Sequence, residues 1–170
     1  MDTITPSQRH TNMAAIHSKN TKPELVVRRF LFAHGFRYRL NDPRLPGHPD
    51  IVMRKYATCV FVNGCFWHGH DDCGGFRLPK TNVEFWQNKI TRNKTRDERT
   101  IQQLTALGWN CITIWECQLK PSVRENTLAS LQQTLLQIYL RKTQPSTIHK
   151  PYNIEEDTPL RQAAEPANPS

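Results

Sequence analysis

Val60-Phe61-Val62-Asn63-Gly64-Cys65-Phe66-Trp67-His68-Gly69-His70-Asp71-Asp72-Cys73 opens as a buried strand and ends in imidazoles, carboxylates and a thiol. The run Val60, Phe61, Val62 is rich in β-branched and aromatic side chains, as a strand requires, and Gly64 lets the backbone turn sharply straight after it. Two large aromatics, Phe66 and Trp67, follow the turn. A core does not ordinarily place such groups beside candidate metal ligands. Strand, turn, aromatic wedge and ligands within one short stretch therefore mark a site at the end of a sheet.

Upstream, Asp50-Ile51-Val52-Met53 and Thr58-Cys59-Val60-Phe61-Val62 are two short apolar runs separated by a polar turn, which predicts a hairpin. Phe36-Arg37-Tyr38-Arg39-Leu40 alternates apolar and basic residues like a half-buried strand. Thr21-Lys22-Pro23-Glu24 has the pattern of a capping box with proline in the first turn, so a helix should start there and stop at Gly35. Downstream, Thr81-Asn82-Val83-Glu84 is a second such box opening a helix with Phe85, Trp86, Lys89, Ile90 and Asn93. Lys94 to Leu107 reads as a further amphipathic helix ending at Gly108, Trp109 to Trp115 as a strand, and Leu128, Leu131, Leu135 and Ile138 as the stripe of a closing helix. This order predicts an α/β fold with a mixed central sheet flanked by helices. The expected organisation is an arm over residues 1–20, in which Met13 and Ile16 could dock a short helical stretch, one domain over 21–142, and a polar, proline-rich, disordered tail over 143–170.

Of the 170 residues, 23 are Lys or Arg and 15 are Asp or Glu, a net +8. From Thr143 onward there are two basic and four acidic residues, so residues 1–142 hold 21 basic and 11 acidic residues, a net +10. That balance suits a polyanionic partner, with an ordinary basic surface as the alternative. Five cysteines, no apolar leader core and no membrane-length apolar run point to a reducing, cytoplasmic setting without membrane contact.

Asp50, Asn63, His68, His70, Cys73 and Cys117 all fall at or just after expected strand ends, where they can converge. Asp50 follows Gly-His-Pro at the mouth of a strand. It is either a turn cap or a carboxylate for a hard cation such as magnesium. Glu24, in a first turn, reads as a cap favoured by the helix dipole. His70, Cys73 and Cys117 suit zinc and need a fourth ligand, for which Asp97 is the candidate. Cys59, Cys65 and Cys111 read as buried small hydrophobes.

Several blocks, in order, resemble the bacterial very short patch repair (Vsr) endonucleases: Asn12-Met13, Leu45-Pro46-Gly47-His48-Pro49-Asp50, Gly64-Cys65-Phe66-Trp67-His68, Glu84-Phe85-Trp86 with Lys89 and Asn93, Leu107-Gly108-Trp109 and Trp115-Glu116-Cys117. The resemblance covers roughly residues 9–140. It implies a restriction-endonuclease-like fold, a structural zinc, and a magnesium-dependent nick on the 5′ side of the thymine in T:G mismatches left by 5-methylcytosine deamination. It further implies that Asp50 and the main-chain carbonyl of Val62 hold magnesium, that His68 handles protons and that Glu24 supports the site. Met13, Phe66 and Trp67 match residues that wedge into the duplex, and Lys89 and Asn93 match residues that reach the mispaired bases. Asn63, in the catalytic set, stands where the family usually has a second histidine, and the loop from His70 to Cys73 is one residue longer than usual.

The expected partners are double-stranded DNA with a T:G mismatch and other DNA repair proteins, with the chain acting as a monomer. A zinc-stabilised mismatch-binding protein with little or no catalysis is the alternative that Asn63 motivates. A general basic RNA-binding module would leave the Pro-Asp and Phe-Trp-His blocks unexplained.

Overall fold

The structure, a computed structural model, describes residues 7, 8, 11, 19–71 and 73–144. Its elements in order are α1 (Lys22–Ala33), β1 (Arg39–Leu40), β2 (Ile51–Met53), β3 (Thr58–Asn63), α2 (Val83–Ala106), β4 (Asn110–Trp115) and α3 (Arg124–Thr143). Single 3-10 turns cover Arg54–Tyr56 and Glu116–Leu119. The four strands form one mixed sheet in the order β1-β2-β3-β4, antiparallel except for the β3–β4 pair. Met13 and most of the expected arm and tail lie outside the described residues, and α3 runs to Thr143. No helix among the described residues is long and apolar enough to cross a membrane.

Side-chain alternation along the strands sorts the core into two layers. Ile51, Met53, Val60 and Ile114 pack on one face with Val27 and Leu31 of α1 and Leu128, Leu131 and Leu135 of α3. Val52 and Cys59 pack on the other with Leu104 of α2, beside Phe61, Trp109 and Cys111. Because both faces are covered, β2 and the first half of β3 are buried on both sides, with Thr58 the one polar residue among them.

The first capping box forms, Thr21 and Glu24 bonding reciprocally, and α1 ends in a Schellman motif at Gly35. Phe36 N–H donates to Leu31 O and Gly35 N–H to Phe32 O. This motif explains why the expected strand over 36–40 shrinks to Arg39–Leu40. Phe36 is consumed by the helix end and drops into the core against Tyr56, ring centroids 5.3 Å apart. The second capping box does not form: Asn82 is the cap, in the left-handed region at φ 53° with no side-chain cap bond, so Thr81 lies one residue too early. The two helices expected on either side of Asn93 and Lys94 are one helix of 24 residues, since no Gly or Pro interrupts it.

Two glycines let backbone press on α2. A Cβ at Gly47 (φ +71°) would lie 2.2 Å from Thr100 Cγ2, and one at Gly69 (φ +58°) would lie 2.6 Å from Ile90 Cγ2. Gly47→Ala should therefore destabilise the protein by about 2–4 kcal/mol, combining left-handed strain with overpacking. Thr100→Ala in the same chain should recover part of that loss. Urea unfolding of the two single variants and the double variant measures the coupling, and strict additivity would show that the two sites do not touch.

Candidate active site and metal centre

The antiparallel β2–β3 pair sets the start of β2 beside the end of β3, and the parallel β3–β4 pair sets Asn63 beside Trp115. Asp50, Asn63 and Glu116 therefore meet at one end of the sheet, where a cleft of about 770 Å³ opens. Glu24, Asp50, Val62, Asn63 and His68 all line it, as do Trp67, Lys89, Asn93 and Asp97. The described residues expected at the site around Asp50 come together, with Phe66 in ring contact with Trp67.

Asp50 Oδ2 accepts the N–H of Val62 at 2.8 Å. An extended residue presents its N–H and C=O to the same side, so the carbonyl of Val62 faces this edge as well. Burial pushes the Asp50 carboxyl above the ordinary carboxylate range and the charge on Glu24 adds to it, while the Val62 N–H, Arg28 and His68 pull the other way. The folded chain thus disfavours the Asp50 anion, and a cation would relieve that. Glu24 does more than cap α1. It is 3% exposed and ion-paired to Arg28 at 2.5 Å, and it accepts from the N–H of Asn20 at 3.1 Å and the Thr21 hydroxyl at 2.9 Å. Its negative charge is held rigidly next to Asp50 but committed to those partners.

His68 Nδ1 lies 2.5 Å from Asp97 Oδ2 across from α2. A carboxylate on Nδ1 fixes ring orientation and tautomer and leaves Nε2 for proton exchange. The expectation that Asp97 completes a zinc set is thereby corrected. Its carboxylate is spent on His68, with its other oxygen 3.3 Å from Arg96.

The fourth corner of the thiol cluster is Cys65. The ligand atoms of Cys65, His70, Cys73 and Cys117 all lie within 4.8 Å of one another. His70 Nδ1 is 3.6 Å from Cys65 Sγ and 3.5 Å from Cys117 Sγ. A tetrahedral ion with metal–sulfur bonds of about 2.3 Å and metal–nitrogen bonds of about 2.0 Å requires S···N separations of about 3.5–3.6 Å, so the donors fit. The His70 ring stacks on Trp115 at 4.0 Å and 2°, which fixes its plane. Burial pushes the Cys65 thiol up to about 12. At Cys73 burial is outweighed by main-chain donors such as Gly75 N–H and by the neighbouring thiols, which draw it down. Cys65 looks like a core residue because it is buried between Gly64 and Phe66; only the spacing Cys-x4-His-x2-Cys hints at its role.

Phe66, Trp67 and Trp86 form an aromatic cluster with centroids 5.2–6.0 Å apart. Lys89 Nζ lies over Trp67 and Trp86 at 5.4 and 5.5 Å. Asn93 donates to the carbonyl of Trp67 at 2.8 Å, keeping its own oxygen and second N–H for the cleft. Trp86, not assigned a role from sequence, belongs to the same cluster. Its partner Lys89 is three residues on, the helical spacing that could have shown it.

A family model described as DNA mismatch endonuclease Vsr matches residues 1–74. The chain is 52% identical over 119 residues to a type II nicking enzyme, V.NmeAIP, of Neisseria meningitidis, covering 70% of this chain and 84% of that protein. A type II nicking enzyme of Xanthomonas oryzae, V.XorIIP, is 43% identical over 118 residues, 69% of this chain and 86% of the relative. The DNA mismatch endonuclease Vsr of Escherichia coli is 42% identical over 112 residues, 66% of this chain and 71% of the relative.

Burial of Asp50 also has a consequence for stability. With its pKa raised in the folded state, the native chain binds more protons than the unfolded chain between the ordinary value and the raised one. Stability from this group therefore falls as pH rises through that window and stays lower above it. At pH 7 without divalent cations, Asp50→Asn should melt at a higher temperature than the natural protein. The gap should close near pH 3, or when magnesium is added. A lower melting temperature for the variant at pH 7 would show that Asp50 is stabilised as the anion.

Proposed function

Because the chain belongs to the Vsr family of DNA mismatch endonucleases, and so is a DNA repair nicking endonuclease, we propose that it cuts one strand on the 5′ side of the thymine in a T:G mispair left by deamination of 5-methylcytosine. The observation that carries this function is the convergence in one cleft of Asp50, the His68–Asp97 pair and Trp67 of the aromatic cluster. The mixed sheet with helices on both faces is read as a restriction-endonuclease-like core.

Asp50 and the Val62 carbonyl would hold magnesium, which when bound polarises the scissile phosphate and activates water. His68 accepts a proton at Nε2, with Asp97 holding the ring in place and balancing the imidazolium. Glu24 keeps Arg28 beside the cleft and its own charge near Asp50. Asn63 orients water or phosphate by hydrogen bonds and cannot take up a proton, which leaves His68 as the proton acceptor. Phe66 and Trp67, with Trp86 behind them and Met13 from the arm, wedge into the duplex at the mispair, where unstacking costs least. Lys89 and Asn93 reach the mispaired bases. The protein acts as a monomer in the cytoplasm on double-stranded DNA, where other repair proteins resynthesise the strand. A mismatch-binding protein with weak catalysis is the second possibility, and Asn63 is the observation that favours it.

A labelled duplex with one T:G pair, incubated with magnesium beside a fully paired control, tests the activity. The natural protein should nick only the mismatched duplex. Asp50→Asn should bind it and fail to nick, and His68→Ala should be about 10²- to 10⁴-fold slower, as expected for lost proton transfer. Nicking by Asp50→Asn at the natural rate overturns the catalytic assignment, and a natural protein that binds without nicking leaves the binding alternative.

Cys65, His70, Cys73 and Cys117 would hold a structural zinc. One zinc per chain should copurify. Cys65→Ser should lose it and become markedly less stable, since ligation energy is folding energy of about 10 kcal/mol or more in small zinc domains. Asp97→Asn should keep its zinc while losing activity. Zinc lost from Asp97→Asn but kept by Cys65→Ser would restore the ligand set first expected from sequence.

A further inference from the structure

The cleft must stabilise charge that builds on the phosphoryl oxygens during hydrolysis, and its side chains offer few cations for this. Strand β3, Thr58–Asn63, carries none. Among the described residues the Lys and Arg side chains lining the cleft are Lys19, Lys89 and Arg96. Lys89 lies over three aromatic rings at 5.4–5.8 Å. Arg96 stands next to the His68–Asp97 pair, with Nη2 3.3 Å from Asp97 Oδ1. Its side chain is 63% exposed, so one contact anchors the guanidinium and the remaining donors stay open to the cleft.

Position along α2 adds an independent constraint. Lys89, Asn93 and Arg96 lie on one cleft-facing stripe of the helix. Lys89 and Arg96 are about 10 Å apart along the axis, and Arg96 is about 4.5 Å beyond Asn93. Arg96 therefore stands at the His68 end of the stripe, and Lys89 at its aromatic end.

We propose that Arg96 is a catalytic residue of the nicking reaction, donating hydrogen bonds from its guanidinium to a non-bridging oxygen of the scissile phosphate while Asp97 holds it in place. This rests on the assignment of Asp50 and His68 as the hydrolytic groups. The planar fork suits a phosphate and stays charged throughout, whereas a lysine there would offer a single point contact. Asp97 thereby orients two groups at once, the proton acceptor through one oxygen and the phosphate donor through the other.

The experiment is single-turnover nicking of a T:G duplex in magnesium, with either non-bridging oxygen of the scissile phosphate replaced in turn by sulfur, alongside binding of the unmodified duplex. Arg96→Ala should nick about 10²- to 10³-fold more slowly, the loss typical of one transition-state donor, with binding weakened less than about tenfold. Arg96→Lys should recover part of the rate. For one of the two sulfur isomers the penalty should be smaller in Arg96→Ala than in the natural protein, because the contact that sulfur weakens is already gone. If Arg96→Ala nicks within about threefold of the natural rate, or the sulfur penalties are the same in both proteins, the role is overturned and the residue acts at most through Asp97. A natural protein that does not nick overturns the underlying assignment and the Arg96 role together; a nicking natural protein with an unaffected Arg96→Ala overturns the Arg96 role alone.

Discussion

The pairing of Ile51 with Val60 across β2 and β3 is the constraint on which the rest depends. It places Asp50, one residue before β2, where its carboxylate can take the N–H of Val62, two residues beyond Val60 on β3. A slip of one residue would turn every side chain of β2 to the opposite layer, and Val52 would exchange places with Ile51 and Met53 in two differently shaped cores. The register is therefore enforced by burial on both faces. The carboxylate inherits its position from that register, and the Val62 N–H completes it.

The parallel neighbour β4 serves a different purpose. A parallel pair needs a long crossover, and this crossover holds both the aromatic loop and α2. The helix returns across the cleft with Lys89, Asn93, Arg96 and Asp97 on its inner side, so the groups facing Asp50 come from an element packed on the opposite layer. The cost is visible in the charges. Asp50 is disfavoured as an anion, Glu24 sits beside it fully buried, and three thiols and an imidazole crowd together next door. Stability given up there is supplied by the two apolar layers.

Local patterns in the sequence were legible wherever a residue's role depends on near neighbours. Thr21 and Glu24 form their box, Gly35 ends α1, the hairpin around Tyr56 folds where two apolar runs flank a polar turn, and Asp50 is conspicuous at a strand mouth. Roles created by distant contacts were hidden. Asp97 lies in a charged helical turn that looks solvated, and only the return of α2 brings it to His68, 29 residues away. Cys65 has the surroundings of a core residue, and only the turn after β3 carries it to His70 and Cys117. The strand expected at Phe36 failed because helix termination claimed that residue first. The break expected near Asn93 had no glycine or proline to cause it.

Phe66, Trp67 and His68 lie between Cys65 and His70, whose donor atoms approach to 3.6 Å. Three main-chain bonds tighten the same span: His68 N–H to Gly64 O, Gly69 N–H to Phe66 O and His70 N–H to Cys65 O. The span is a tight turn closed by main-chain hydrogen bonds, with little slack between neighbouring side chains. A push on the indole of Trp67 is thus a push on the imidazole next to it. Trp67 and His68 are therefore set by one short piece of backbone, so a substitution that shifts the indole also shifts the imidazole that meets Asp97.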